Sequence, residues 1–274
     1  MSDILRPMFY NAVDFSSLFT RESQFYNTKL QRVKNLIAPI AGVLSFEFVP
    51  GLMPESVPDC TLTANLSNGT YVEIDQTVVY TLTDRYVYLF NVSAIGLISG
   101  NCDFSVTVAG YSNVIYSEKC YCYALADFPE NNLVRLIAYN SDMTRGWISS
   151  SYPAFGVFQV SDLNGQLYGT KKTVYEYGYG RVLNLGSESH VKSILAFQKL
   201  SLYQQNLLKF LCDCETLSIN GTTYALKGEL KEENKDPQNE ICDLLGEFVP
   251  VVQSFSLPGA TSKASELEIK NLFI

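Results

Sequence analysis

Histidine and tryptophan are almost missing from this chain: each occurs once, at His190 and Trp147. Acid–base chemistry built on imidazole therefore has a single residue to use. The sharp G-x-S-x-G turn that presents a serine nucleophile is absent around it, although Ser187 and Ser189 lie close by in GSESH. Phosphate loops are lacking too, since Gly178, Gly180 and Leu183 spell G-x-G-x-x-L and no P-loop occurs. Positive charge is scarce. With 20 Lys+Arg against 28 Asp+Glu the net charge is −8, which leaves no basic footprint for a phosphate backbone and excludes nucleic acid as a partner. No apolar run reaches the length of a membrane span, so no membrane insertion is expected. The N-terminus, MSDILRPMFYNAVDF, shows no basic start leading into an apolar core, and no secretory leader is expected either. The seven cysteines are odd in number and irregularly spaced, which argues against a disulfide framework. Mostly free, buried thiols in a chain made in a reducing cytoplasm are the simplest expectation.

What is present is apolar and aromatic. Hydrophobic residues make up 47% of 274 positions, enough for one large or two ordinary domains with cores of their own. Charged residues reach only 18%, below the usual quarter, as for a surface partly covered by neighbours. The 18 Tyr and 16 Phe favour pleated surfaces and contact-rich interfaces.

Along the chain, Tyr26, Leu30, Val33 and Ile37 fit one helical face that Pro39 would end, as an N-terminal arm or packing helix. From Leu44 the period becomes two. Phe46 and Phe48 alternate, a hairpin is expected around Asn68-Gly69, and another joins Thr77–Leu82 to Arg85–Phe90. In the latter strand Tyr86, Tyr88 and Phe90 share one face and Val87 and Leu89 the other, so both faces must be covered. Phe104, Val106 and Val108 continue the alternation, followed by Val114–Tyr116 and Cys120–Leu125. Such short strands between turn signals predict a β-sandwich of immunoglobulin or fibronectin type. The segment 127–132, with Pro129 inside, predicts a boundary between an arm plus β domain at 1–126 and a second β domain at 127–274.

The second half is organised around KLSLYQQNLLKFLCDCETLSINGTTYAL. Ser201 and Gln204 form a capping-box pattern, and Leu200, Tyr203, Leu207, Leu208 and Leu211 recur at helical spacing up to Asp213. Asn220-Gly221 then predicts a type I′ turn with Ile219 opposite Thr222 and Leu217 opposite Tyr224. Around this nucleus lie strands at 133–139, 154–160, 173–180 and 248–255, a charged insertion at 229–240 read as a solvated loop, and a tail at 262–274. The fold class is therefore mostly β, with two sandwich-like domains, the second carrying a short helix packed on a hairpin.

Few residues offer chemistry. Cys120-Tyr-Cys122 and Cys212-Asp-Cys214 could together supply four thiolates, but zinc knuckles place two to four residues within each pair, and on a strand Cys120 and Cys122 simply share a core face. No metal or other cofactor is assigned. Asp103, Asp142, Asp162 and Glu215 stand at no spacing that marks an acid–base pair, and His190, placed before an expected short helix, reads as a surface or cap residue. Tyr175, Tyr177 and Tyr179 alternate in TVYEYGYG, and Trp147 lies in the Ser/Gly-rich loop at 141–153. These four are the interface candidates: aromatic faces suit a partner subunit first and a sugar second.

The order of short segments in the second half is recognisable. YSNVIYSEKC precedes VRLIAYNSD, YEYGYGRVLNLGSESH leads to the helix, the CETLSINGTTYAL hairpin follows, and a charged break precedes FVPVVQSF. Over residues 112–254 this resembles tail proteins of phages and prophages of Bacteroidetes hosts, crAss-like phages included. The resemblance implies a multicopy structural part of a virion tail, near its tube, ring, baseplate or fibre attachment. That part would be non-enzymatic, made in the host cytoplasm, and partnered by copies of itself and by other tail proteins. The alternative expectation is a carbohydrate- or receptor-binding module that uses its aromatic residues on a host-surface glycan.

Overall fold

Alternating apolar residues past position 43 pair into strands wherever a second alternating run can cover one face. The computed structural model describes residues 3–8, 11–15, 35–37, 43–92, 99–112, 114–123, 133–141, 150–161, 166–177, 181–236 and 241–251. In the first half these include β1 (Ile4–Pro7), β2 (Asn35–Ile37), β3 (Val43–Val49), β4 (Cys60–Leu66) and β5 (Tyr71–Ile74). They continue with β6 (Val78–Thr81), β7 (Tyr86–Asn91), β8 (Gly100–Val108), β9 (Val114–Tyr116) and β10 (Cys120–Cys122).

One antiparallel sheet runs β1-β3-β7-β6, and a second layer contains β5-β4-β8-β10-β2 with β9 on β8. Leu44, Phe46 and Phe48 with Tyr88 and Phe90 from the first layer share one buried cluster with Leu62, Ala64, Phe104, Val106 and Val108 from the second. This is the sandwich predicted from the alternation. Phe15 wedges into it, edge-on to Phe46 at 4.9 Å between centroids and tilted to Phe104 at 6.3 Å. The residues Tyr86 to Phe90 are all buried, because Val87, Leu89 and Val43 on the outer face lie under Val78, Tyr80, Leu82 and Tyr152.

The helix expected through Ile37 is corrected at its C-terminal end. Residues 35–37 form β2, parallel to β10 and touching β12 (Ala154–Ser161) through the Leu36–Val157 pair, while Tyr26, Leu30 and Val33 lie outside the described residues. Four positions at helical spacing are weak information, and a strand on each side supplies the backbone partners a local pattern does not register.

The second half continues with β11 (Leu133–Tyr139), then β12, β13 (Gln166–Tyr177), β14 (Arg181–Leu200), α1 (Leu202–Cys212), β15 (Thr216–Ile219), β16 (Thr222–Leu226), β17 (Lys231–Asp236) and β18 (Ile241–Pro250). Six of these strands form a ring. β12 pairs β11, which pairs β15, β16, β18 and β14 in succession, and β14 returns to β12 through Val160–Phe197 and Ser161–Ala196. Closure of this kind removes exposed edges from the ring itself. Leu136, Phe158, Phe197, Leu217, Leu244 and Phe248 fill its interior together with Leu207, Leu208 and Leu211 of α1. Phe197 stands edge-on to both Phe158 and Phe248, at 5.7 and 6.0 Å. The fit depends on two bare backbones: a Cβ on Gly156 would stand 2.6 Å from the Phe158 ring, and one on Gly246 2.6 Å from the Phe248 ring.

The nucleus of this barrel has the geometry its sequence predicts. Ser201 caps α1 by accepting from the Gln204 N–H, and the Gln204 side chain accepts from the Ser201 N–H at 3.1 Å. Asn220 and Gly221 take φ of 49° and 89°, the left-handed pair a type I′ turn requires, and set Ile219 opposite Thr222 and Leu217 opposite Tyr224. The turn is also held from outside, because the Arg135 N–H donates to Asn220 Oδ1 at 2.8 Å and the Asn220 N–H donates to the Arg135 carbonyl at 2.9 Å.

Two further expectations give way here. The charged insertion is not all loop: Lys231–Asp236 forms β17, an exposed edge strand on β18, with 237–240 outside the described residues. Its charges are what an edge strand uses to discourage further pairing, and they erase the apolar alternation that would have identified it. No helix follows His190, since β14 runs on to Leu200 and breaks only at Lys199, whose φ is 53°. The two halves are continuous with each other. β2 joins the larger sheet to the barrel, Phe155 packs into the first core, and the Val43 N–H donates to the Pro153 carbonyl at 3.2 Å.

Candidate functional site

Among the described residues the longest pairing belongs to a two-stranded ribbon. Gln166 to Tyr177 of β13 pair antiparallel with Ser193 back to Arg181 of β14, with one irregularity between Thr173 and Val174. Twelve residues at about 3.4 Å each make a ribbon about 40 Å long. Only the far end of β14, from Ser193 onward, belongs to the barrel, where it pairs with β18 and β12. Among the described residues neither β13 nor the 181–192 half of β14 pairs with a third strand. A two-stranded ribbon is at best marginal in water, because each strand leaves one row of N–H and C=O groups to solvent.

Two of the four interface candidates fall on this ribbon. Tyr175 and Tyr177 belong to β13 and pair with Leu183 and Arg181, whereas Tyr179 and Trp147 lie outside the described residues. His190 pairs with Gly169 in the same ribbon. Residues 166–193 contain Lys171, Lys172, Arg181 and Lys192 against Glu176 and Glu188, a net +2, so the rest of a chain of net −8 carries −10.

The other concentration of reactive groups is buried. The two cysteine pairs do not converge. Cys212 and Cys214 pack against the barrel core, where the Cys214 thiol donates to the Phe210 carbonyl at 3.4 Å and burial pushes the Cys212 thiol up to about 12. Cys120 and Cys122 meet Cys102 instead, in the sandwich. Cys102 stands opposite Cys120 in the β8–β10 ladder, with Sγ atoms 3.2 Å apart, and its Sγ is 2.6 Å from that of Cys122. Burial drives the Cys120 thiol well up, while hydrogen bonds from Cys102 and Cys120 bring Cys122 down to about 5 against its own burial. Cys102 lies two residues before Phe104, so the alternation of Phe104, Val106 and Val108 carried back is the signal that would have turned it inward, but the register that sets it against Cys120 is a long-range fact.

The carboxylates are engaged locally. Asp103 accepts from the Asn65 side-chain amide at 2.9 Å and Glu215 from the Ser141 N–H at 2.7 Å, while Asp142 and Asp162 lie outside the described residues. Glu47, against its own burial, and Asp84 are held low by arginine partners, whereas Glu118 is shifted upward. Burial first, and Asp14 second, push its carboxyl up to about 8. No protein-family model, no curated protein and no solved structure matches this chain.

Proposed function

We propose that this chain is a non-enzymatic structural subunit of a bacteriophage tail, acting by multimeric assembly in its tube, ring, baseplate or fibre attachment. The observation that carries the assembly reading is the β13–β14 ribbon, a long pairing rooted in a closed barrel and joined by no third strand among the described residues. A ribbon of this length becomes worthwhile when a neighbour completes it, since strand addition satisfies the free backbone row and side chains on alternate positions set the partner. The charge division favours a second copy as that neighbour: a ribbon of net +2 meets a body of net −10 on the next molecule. Heterologous contact of this kind, repeated around an axis, closes into a ring. The tail assignment adds the motif order over residues 112–254. Mass spectrometry of gradient-purified phage particles encoding the chain tests it. Recovery of the chain in stoichiometric, multicopy amount is expected, and complete infectious particles without it would contradict the assignment.

A further inference from the structure

Three cysteines from two neighbouring strands converge inside the sandwich, and nothing in an assembly role requires them. Cys102 is on β8, and Cys120 and Cys122 provide both inward side chains of the three-residue strand β10. Their sulfurs all fall within 4.8 Å of one another. None of the three residues is more than 3% exposed.

Simple core packing does not account for this arrangement. A cysteine that only fills space behaves as a small apolar group, and such groups pack at about 3.5–4.0 Å. Here the Cys102 and Cys122 sulfurs lie 2.6 Å apart, the Cys120 thiol donates to the Cys102 carbonyl at 3.5 Å, and no imidazole or carboxylate joins the three among the described residues. Three bonds of about 2.3 Å to one central ion set the sulfurs about 4 Å apart, so loading the site means opening the 2.6 Å pair by rotation about the cysteine side chains. What favours a ligand site is the convergence itself, three buried thiols from two adjacent strands with their sulfurs within 4.8 Å of one another. The donor set also selects the kind of ion: three soft sulfurs without carboxylate or imidazole suit a thiophilic closed-shell metal of low coordination number, not magnesium, calcium or manganese.

We propose that Cys102, Cys120 and Cys122 form a buried three-thiolate site for a soft d10 metal ion of low coordination number, cuprous copper. Binding displaces thiol protons to solvent and involves no change of oxidation state. The ion staples β10 to β8. β10 needs such a fastening, because its register with β8 spans only Cys120–Cys122 opposite Gly100–Cys102 and its other partner, β2, is equally short. Its role is structural, as burial leaves no open position for a substrate. The inference rests on the sandwich core alone, so it stands or falls independently of the ribbon and of tail assembly.

The test uses the full chain, purified anaerobically under reducing conditions and titrated separately with Cu(I) and Zn(II). One equivalent of Cu(I) per chain is expected, with a higher melting temperature when loaded, and no stoichiometric Zn(II), for which a fourth ligand is missing. X-ray absorption should show three sulfur scatterers at about 2.2–2.3 Å and no light-atom shell of comparable weight. Cys122→Ser should lose stoichiometric uptake, whereas Cys60→Ala, in the same core but outside the cluster, should keep it. The absorption measurement and the titration need only the wild-type chain, so they decide the matter even if Cys122→Ser fails to fold. No uptake of Cu(I), a nitrogen- or oxygen-dominated shell, or an intact mass two hydrogens lighter from a Cys102–Cys122 disulfide would each overturn the site.

Discussion

Tyr203, on the helix that fills the barrel, places its hydroxyl oxygen 2.7 Å from the carbonyl oxygen of Asn11, 192 residues earlier in the chain. The same hydroxyl lies 3.1 Å from the Val13 carbonyl. Asn11 in turn reads the sandwich, because its side-chain amide donates to the Ser45 carbonyl at 2.8 Å and accepts from the Ser45 N–H at 2.7 Å. Residues 11–15 thus form a strap between the two cores, anchored by Phe15 on one side and by Tyr203 on the other.

Tyr203→Phe keeps the ring and removes the only donor this side chain offers the strap. Two carbonyls in a partly buried setting lose that partner, so a cost of about 1–3 kcal/mol is expected. Chemical denaturation checks the total. Hydrogen exchange checks the place, with faster exchange expected at the Ser45 amide before the barrel strands respond.

Gly156→Ala should be destabilising by about 1–3 kcal/mol although alanine is a small residue, because the new methyl enters the space of the Phe158 ring. Combining it with Phe158→Leu should recover part of the loss, since the two changes act on one space. Thermal unfolding of the single and double variants measures the coupling.

Glu118 gives the chain a defined pH response. Its folded pKa of about 8 lies above its ordinary 4.5, so between these values the folded state holds a proton that the unfolded chain has released. Its contribution to stability is therefore complete below pH 4.5 and is lost as pH rises towards 8. Urea unfolding at pH 5 and pH 8 should show a decline that Glu118→Gln flattens, because glutamine retains the neutral form at both values.

Sequence reached the elements whose information is local. The Ser201–Gln204 capping box, the Asn220-Gly221 turn and the two-sided burial of residues 86–90 each depend on a few neighbouring side chains, and each is present. What it did not reach is set by partners far along the chain. Closure of the barrel depends on Val160 meeting Phe197, and the thiol cluster depends on Cys102 meeting Cys120; neither registers in local periodicity. The strand Lys231–Asp236 was hidden for the opposite reason, since an edge strand that resists further pairing carries the composition of a loop. Of the interface candidates, Tyr175 and Tyr177 were placed in a strand by their alternation, and the ribbon's length became evident only from its pairing.

The ribbon offers the most direct test of the account. Lys171 pairs with Glu188, so replacing residues 172–187 by Asn-Gly joins that pair through a two-residue turn and leaves the barrel register intact. Sedimentation velocity of the full chain and the shortened chain over a range of concentrations then compares their assembly. The account predicts concentration-dependent multimers for the full chain, favoured at low salt, and a folded monomer with an unchanged barrel for the shortened one. A full chain that stays monomeric throughout, or a shortened chain that assembles equally well, would contradict it.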